Sequence, residues 1–142
     1  MFELDERLQQ DTCLLAELPL CRVLLMNDAR YPWLILVPRV ADVSEVFELD
    51  EMQQQQLWDE TRLLAKAMRQ VFVADKMNIA TLGNVVSQLH MHLVVRKEGD
   101  ASWPGPVWGN GVALPYSESS QGAVRKQMLQ ALQVSGLEVQ QA

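Results

Sequence analysis

The chain holds two histidines, His90 and His92, one residue apart in Gln88-Leu89-His90-Met91-His92-Leu93-Val94-Val95-Arg96. Extended backbone points residues i and i+2 the same way, about 7 Å apart. This spacing therefore predicts a strand with Gln88, His90 and His92 in a polar row and Leu89, Met91 and Leu93 facing a core. Imidazole is neutral in a large fraction of molecules near neutral pH, so one ring can attack while its neighbour donates a hydrogen bond to an anion. Phosphoryl or nucleotidyl transfer suits such a pair. Two other readings fit the pair alone. Histidines on a solvent-facing strand need have no function. H-x-H also matches two zinc ligands, but zinc takes three or four protein ligands. No further histidine exists and Cys13 and Cys21 are remote in sequence, so carboxylates would have to complete the set.

A strand carrying that row needs neighbours, and the sequence supplies them. Thr12 to Glu17 and Cys21 to Met26 read as a hairpin turned around Leu18-Pro19-Leu20. In that register Cys13 faces Leu25 and Cys21 faces Glu17, so the thiols are not cross-strand partners. They are expected to be reduced and structural, because a redox pair needs a spacing such as C-x-x-C. Trp33-Leu34-Ile35-Leu36-Val37 reads as a buried strand closed off by Pro38, after a polar turn over 27–32. A long amphipathic helix is predicted over 50–72 with Asp50 as its N-cap. Leu57, Trp58, Thr61, Leu64, Ala65, Met68 and Phe72 form its inward face, while Gln53 to Gln56, Asp59, Glu60, Arg62, Lys66 and Arg69 take the other. Strands over 76–82 and 89–96 flank Gly83-Asn84-Val85-Val86-Ser87. A loop rich in Trp, Pro and Gly spans 98–115, and a closing helix spans 117–134. Residues 3–11 carry a weaker helical pattern. With no repeat, no linker and no regular β-α-β alternation, these elements predict a single α+β domain. It is built on an antiparallel sheet of about five strands, with one long helix and one or two shorter ones.

Composition narrows the partners. Twelve Lys plus Arg against eighteen Asp plus Glu give a net charge of −6, and there is no basic block or arginine stripe. A general nucleic-acid binder is therefore not expected, since that affinity comes from cations replacing counterions along phosphates. No run approaches a membrane span, and the first residues are acidic where a signal peptide is basic, so no membrane partner and a cytoplasmic location are expected. Trp103-Pro104-Gly105-Pro106-Val107-Trp108-Gly109 combines rigid prolines with large rings. It is read either as a cover that stacks on a base, with Trp108 in contact, or as a cap over the sheet edge. Arg39, Arg96 and Lys97 are candidates for positive field near a pocket, or are simply solvated.

Gln88-Leu89-His90-Met91-His92-Leu93-Val94 resembles the His-φ-His-φ-His-φ-φ signature of the histidine triad (HIT) superfamily, where φ is apolar and Gln88 replaces the first histidine. Leu24-Leu25-Met26-Asn27, Leu34-Ile35-Leu36-Val37-Pro38-Arg39, the long helix, Met77-Asn78-Ile79-Ala80 and the glycine before the histidine strand are similar too, in the family's order. The resemblance covers roughly residues 12–110. It implies one HIT-like domain over 1–142, with 98–142 as an aromatic and proline loop plus a C-terminal helix extension. The implied activity is hydrolysis of a dinucleoside polyphosphate, nucleoside phosphoramidate or similar adenylated compound through a covalent nucleotidyl-histidine. The alternative is a weakened domain that binds purine mononucleotides without turnover.

The resemblance also assigns roles. His90 is the nucleophile, His92 donates to a nonbridging phosphate oxygen, and Gln88 keeps an orienting role without carrying a proton. Asn27 would hold the ribose, and amides near Gly83 and Asn84 would contact phosphate. Val85 stands where relatives place a Ser or Thr that assists the leaving group, and Trp33 stands where some place another histidine. No protein-bound metal or cofactor is implied, although magnesium can arrive with a polyphosphate substrate. A homodimer is implied, in which the C-terminal segment would complete the partner's pocket.

Overall fold

Residues 1–142 are described by a computed structural model. Their order is α1 (Glu6–Asp11), β1 (Thr12–Glu17), β2 (Cys21–Met26), β3 (Trp33–Pro38), α2 (Glu51–Phe72), β4 (Lys76–Ala80), β5 (Met91–Arg96), α3 (Glu118–Val134) and β6 (Gln140–Gln141). The six strands form one antiparallel sheet in the order β4-β5-β3-β2-β1-β6. The two-residue β6, at the edge beside β1, is an addition to the expected five. No helix is long and apolar enough to cross a membrane.

Alternation along the strands sorts side chains between two faces. Val23 and Leu25 of β2, Leu34 and Leu36 of β3, and Leu93 and Val95 of β5 pack under α2 and α3, against Leu64, Met68, Met128 and Leu132. Leu24, Trp33, Ile35, Val37 and Val94 turn to the opposite face, where Leu8 of α1, Tyr31 and Val107 cover them. Both faces of β3 are therefore dry, which explains its unbroken apolar run. Pro38 lies within that strand, paired with Cys21. The strands around the central gap are shorter than the sequence pattern indicates: β4 stops at Ala80 and β5 starts at Met91.

Three departures have physical causes. In β1 the register shifts between Leu14 and Ala16, so Leu15 is an extra residue that drops fully buried into the core. This bulge moves Glu17 opposite Arg22, leaving Cys21 to pair with Pro38 instead of facing Glu17. On α2, Trp58 is 51% exposed and Glu60 is 0% exposed, the reverse of their expected faces. Glu60 is drawn inward because its carboxylate accepts the backbone N–H groups of Leu20 (2.8 Å) and Cys21 (2.9 Å) in the hairpin turn. Burial, then the Glu60 charge, pushes the Cys21 thiol well above its ordinary range, so Cys21 is an inert core residue. Both cysteines are free.

The helix ends follow local rules. Asp50 and Gln53 make a reciprocal capping box on α2, and Ser117 and Ser120 make one on α3. Glu60 is the fold's main polar tie between α2 and the hairpin. Glu60→Ala strands two backbone donors, at a cost of about 1–3 kcal/mol for each buried group left unpaired. The expected result is a lower denaturant midpoint at unchanged slope, equivalent to a loss of about 2–3 kcal/mol. A loss below about 0.5 kcal/mol, the range of ordinary surface substitutions, would contradict this role for Glu60.

Candidate active site

His92 lies opposite Ile35 of β3 and Ala80 of β4, on the face away from the large helices. His90 precedes β5 by one residue, and the ring centroids are 4.8 Å apart at an interplanar angle of 69°. Each ring is held at Nδ1 by a partner of opposite character. His90 Nδ1 lies 2.7 Å from the backbone carbonyl of Gln88. A carbonyl only accepts, so His90 carries its proton on Nδ1 and presents a lone pair at Nε2. Trp33 Nε1–H lies 3.1 Å from His92 Nδ1 and only donates, so neutral His92 carries its proton on Nε2. The neighbours thus offer a nucleophilic nitrogen and a hydrogen-bond donor. Burial, followed by the neighbouring His90, holds His92 down to about 3 from the ordinary 6.5, so this donor is neutral at physiological pH.

Both rings line a cavity of about 700 Å³. One wall is the loop Leu82 to Val86, where Gly83 takes a left-handed turn at φ 79°. No peptide N–H from Leu82 to Gln88 donates within the chain, so this loop offers unspent donors beside the histidines. Val85 lines the same wall and brings no hydroxyl. Trp108 closes another side, with its ring centroid 5.2 Å from His92 and 6.0 Å from Trp33. Its indole Nε1 is buried without a partner.

Another wall is built by the turn after β2. Asn27 lines the cavity and accepts the Tyr116 N–H at Oδ1 (2.9 Å), leaving its amide nitrogen as a donor. Asp28 is buried; burial alone would raise its pKa, but hydrogen bonds from Arg30 and from Leu114 N–H keep it below the ordinary range. Arg30 also donates to the Asn110 carbonyl (2.7 Å). Gly111, at φ 67°, makes this approach possible, since a Cβ there would sit 2.9 Å from Arg30 Nη1. Asn110, Gly111, Ala113 and Pro115 of the loop before α3 therefore line the cavity of their own chain.

The structure brings His90, His92, Asn27, Gly83, Asn84 and Trp108 to one cavity. Gln88 is a correction. It lies in a bend outside β5, and its carboxamide bonds the N-terminal segment at Asp5 N and Glu3 O, so the polar row contains only the two histidines. Its backbone carbonyl, not its side chain, orients His90. Arg96 is buried and bonded to Asn78, Asp100, Ser102 and Gly105, under Trp103, so that cation and that tryptophan brace the loop. Arg39 is spent on Glu17 and the hairpin turn, and Lys97 is exposed outside the cavity. Arg7 and Arg30 are the cations that line the cavity. The sequence reading passed over Arg30, although Asp28-x-Arg30 in a turn is a local signal of a paired guanidinium. No three His, Cys, Asp or Glu side chains are grouped to hold a metal ion.

Long-range ¹⁵N–¹H NMR should show the Nδ1–H tautomer for His90 and the Nε2–H tautomer for His92, with Trp33→Phe releasing His92 into a tautomer mixture. Matching tautomers in the native protein would contradict the assignment. His92 also sets a pH dependence. It binds its proton near 3 when folded and near 6.5 when unfolded, so its contribution is complete above 6.5 and is lost as pH falls toward 3. His92→Gln should flatten that part of the stability curve, and an unchanged acid limb would refute it.

Residues 7–99 match the HIT domain family. A histidine triad protein from Marinobacter aquaeolei is 50% identical, covering 94% of this chain and 97% of its own, with a TM-score of 0.91. Another from Sinorhizobium meliloti is 47% identical over 92% of this chain and 97% of its own, at TM-score 0.89. One from Bradyrhizobium japonicum is 42% identical at the same coverage and TM-score. No curated protein matches the chain by sequence. With two thirds of its length matched by the family and relatives alike from end to end, the chain belongs to the histidine triad superfamily.

Proposed function

We propose that this protein hydrolyses a dinucleoside polyphosphate, a nucleoside phosphoramidate or a similar adenylated compound through a nucleotidyl intermediate on His90. The observation that carries this reading is the complementary tautomer pair, with rings 4.8 Å apart on one cavity. His90 Nε2 attacks the α-phosphorus and forms an N–P bond. The bond from phosphorus to the leaving group breaks, and the leaving group departs with the electron pair. The proton stays on His90 Nδ1 and is donated to the Gln88 carbonyl, which steadies the cationic ring. His92 Nε2–H and the unspent peptide donors of the Leu82 to Val86 loop serve the oxygens where charge gathers. Water then attacks phosphorus as the N–P bond breaks with its electron pair returning to His90 Nε2, and the water's proton passes to solvent, releasing the mononucleotide and restoring His90. Asn27, with its free amide, is assigned to the ribose. We read the working form as a homodimer, with the exposed edge of β4 and the Trp58 face of α2 as available surfaces.

A second reading rests on Val85 and Gln88. One brings no hydroxyl and the other is turned away from the cavity, so the leaving group has no evident acid, and a domain that binds purine mononucleotides without turnover fits the same walls. Acid-labile nucleotide on the His90 peptide, trapped by rapid quench and mass spectrometry, separates the two. The expected result is a stoichiometric adduct, with His90→Ala lowering turnover by about 10³-fold or more. Calorimetric binding of AMP with no adduct and no turnover across the substrate panel would favour the binding module. Full turnover by His90→Ala would overturn the mechanism.

A further inference from the structure

The side chain at the first triad position makes contacts that the proposed chemistry does not use. Gln88 Oε1 accepts the Asp5 N–H at 2.8 Å, and Gln88 Nε2 donates to the Glu3 carbonyl at 2.8 Å. Both peptide groups fix the orientation of the amide, since one only donates and the other only accepts. They flank Leu4 on the same side of an extended segment, so the carboxamide pairs with the chain as a neighbouring strand residue would. A neutral imidazole, with its donor and acceptor on separate sides of the ring, cannot close that pair.

What this clamp holds is a wall of the cavity. Asp5 caps α1 through the Arg7 N–H (2.8 Å), and Arg7, Leu8, Gln10 and Asp11 line the cavity. The Asp11 carbonyl accepts the N–H of Asn27 at 3.0 Å. Six residues are too few for a helix to persist by itself. α1 is instead fixed at three points: Gln88 at its entry, Leu8 in the smaller core, and Asn27 at its exit.

We propose that Gln88 is a positioning residue for the nucleoside side of the cavity. Its side chain acts through the N-terminal segment and α1, while its backbone carbonyl alone serves His90. The role of α1 in substrate affinity rests on the reading given under Proposed function; the clamp itself does not.

The test uses Gln88→Glu, which is isosteric but replaces the donor with a carboxylate oxygen facing the Glu3 carbonyl. Gln88→Asn, too short to reach both peptide groups, repeats it without a charge. Hydrogen exchange of the ligand-free protein should quicken by about tenfold across residues 5–11 in both variants, the scale of one or two lost hydrogen bonds, with β5 protection unchanged. Turnover should show KM raised severalfold with kcat and its pH profile unchanged. Gln88→His, which rebuilds the family's first histidine, should raise KM in the same way without raising kcat. Unchanged exchange over residues 5–11 would overturn the clamp. A fall in kcat at constant KM, or a shifted pH profile, would return Gln88 to the chemistry. Quickened exchange in a protein that binds no nucleotide would leave the clamp standing and refute the nucleotide reading instead.

Discussion

β5 is paired on both edges and buried on both faces, and every feature of the site depends on its register. Leu93 and Val95 enter the helix-covered core, while His92 and Val94 turn to the opposite face beside Trp33 and Ile35. A slip of one residue would drive an imidazole into the core and a leucine into the cavity, so the apolar residues fix the placement of the histidines. The same burial removes competing water from the Nδ1 edges. Buried polar atoms are costly unless paired. Here the Gln88 carbonyl and the Trp33 indole pair them in opposite senses, and the Nε2 edges are left to the cavity.

The electrostatics are local. The chain carries −6, so long-range attraction does not favour an anionic substrate. Arg30, the guanidinium tied into the cavity wall, is already paired with Asp28, and burial keeps His92 uncharged. Beside Arg7, the cavity is lined by neutral donors: peptide N–H groups of the loop before β5, an amide and an imidazole. Such donors act over hydrogen-bond distances and select by geometry. That suits a phosphate held while its charge moves from one oxygen to another.

Much of the framework was legible in the sequence. The hairpin limits, the Asp50 cap and the alternation around His90 and His92 follow from short-range rules and matched the structure. The failures share a cause. Glu60 and Gln88 are polar residues whose partners lie 40 and 83 positions away, and no periodicity reports such a contact. The β1 bulge depends on whether Leu15 fits the core better than the pleat. Arg96 looked like a solvated strand-end charge, yet the following loop folds back and buries it through Asp100, Ser102 and Gly105. The Trp and Pro segment divides for the same reason: Trp103 covers Arg96, and Trp108 reaches the histidines. Sequence placed the two histidines side by side, and tertiary hydrogen bonds decided which neighbours orient them.

The most direct test of this arrangement is a crystal structure of the protein with AMP bound. The account predicts phosphorus about 3–3.5 Å from His90 Nε2, with a nonbridging oxygen within hydrogen-bonding reach of His92 Nε2. Phosphate bound away from both imidazoles, or a His90 ring turned with Nδ1 toward the cavity, would contradict it.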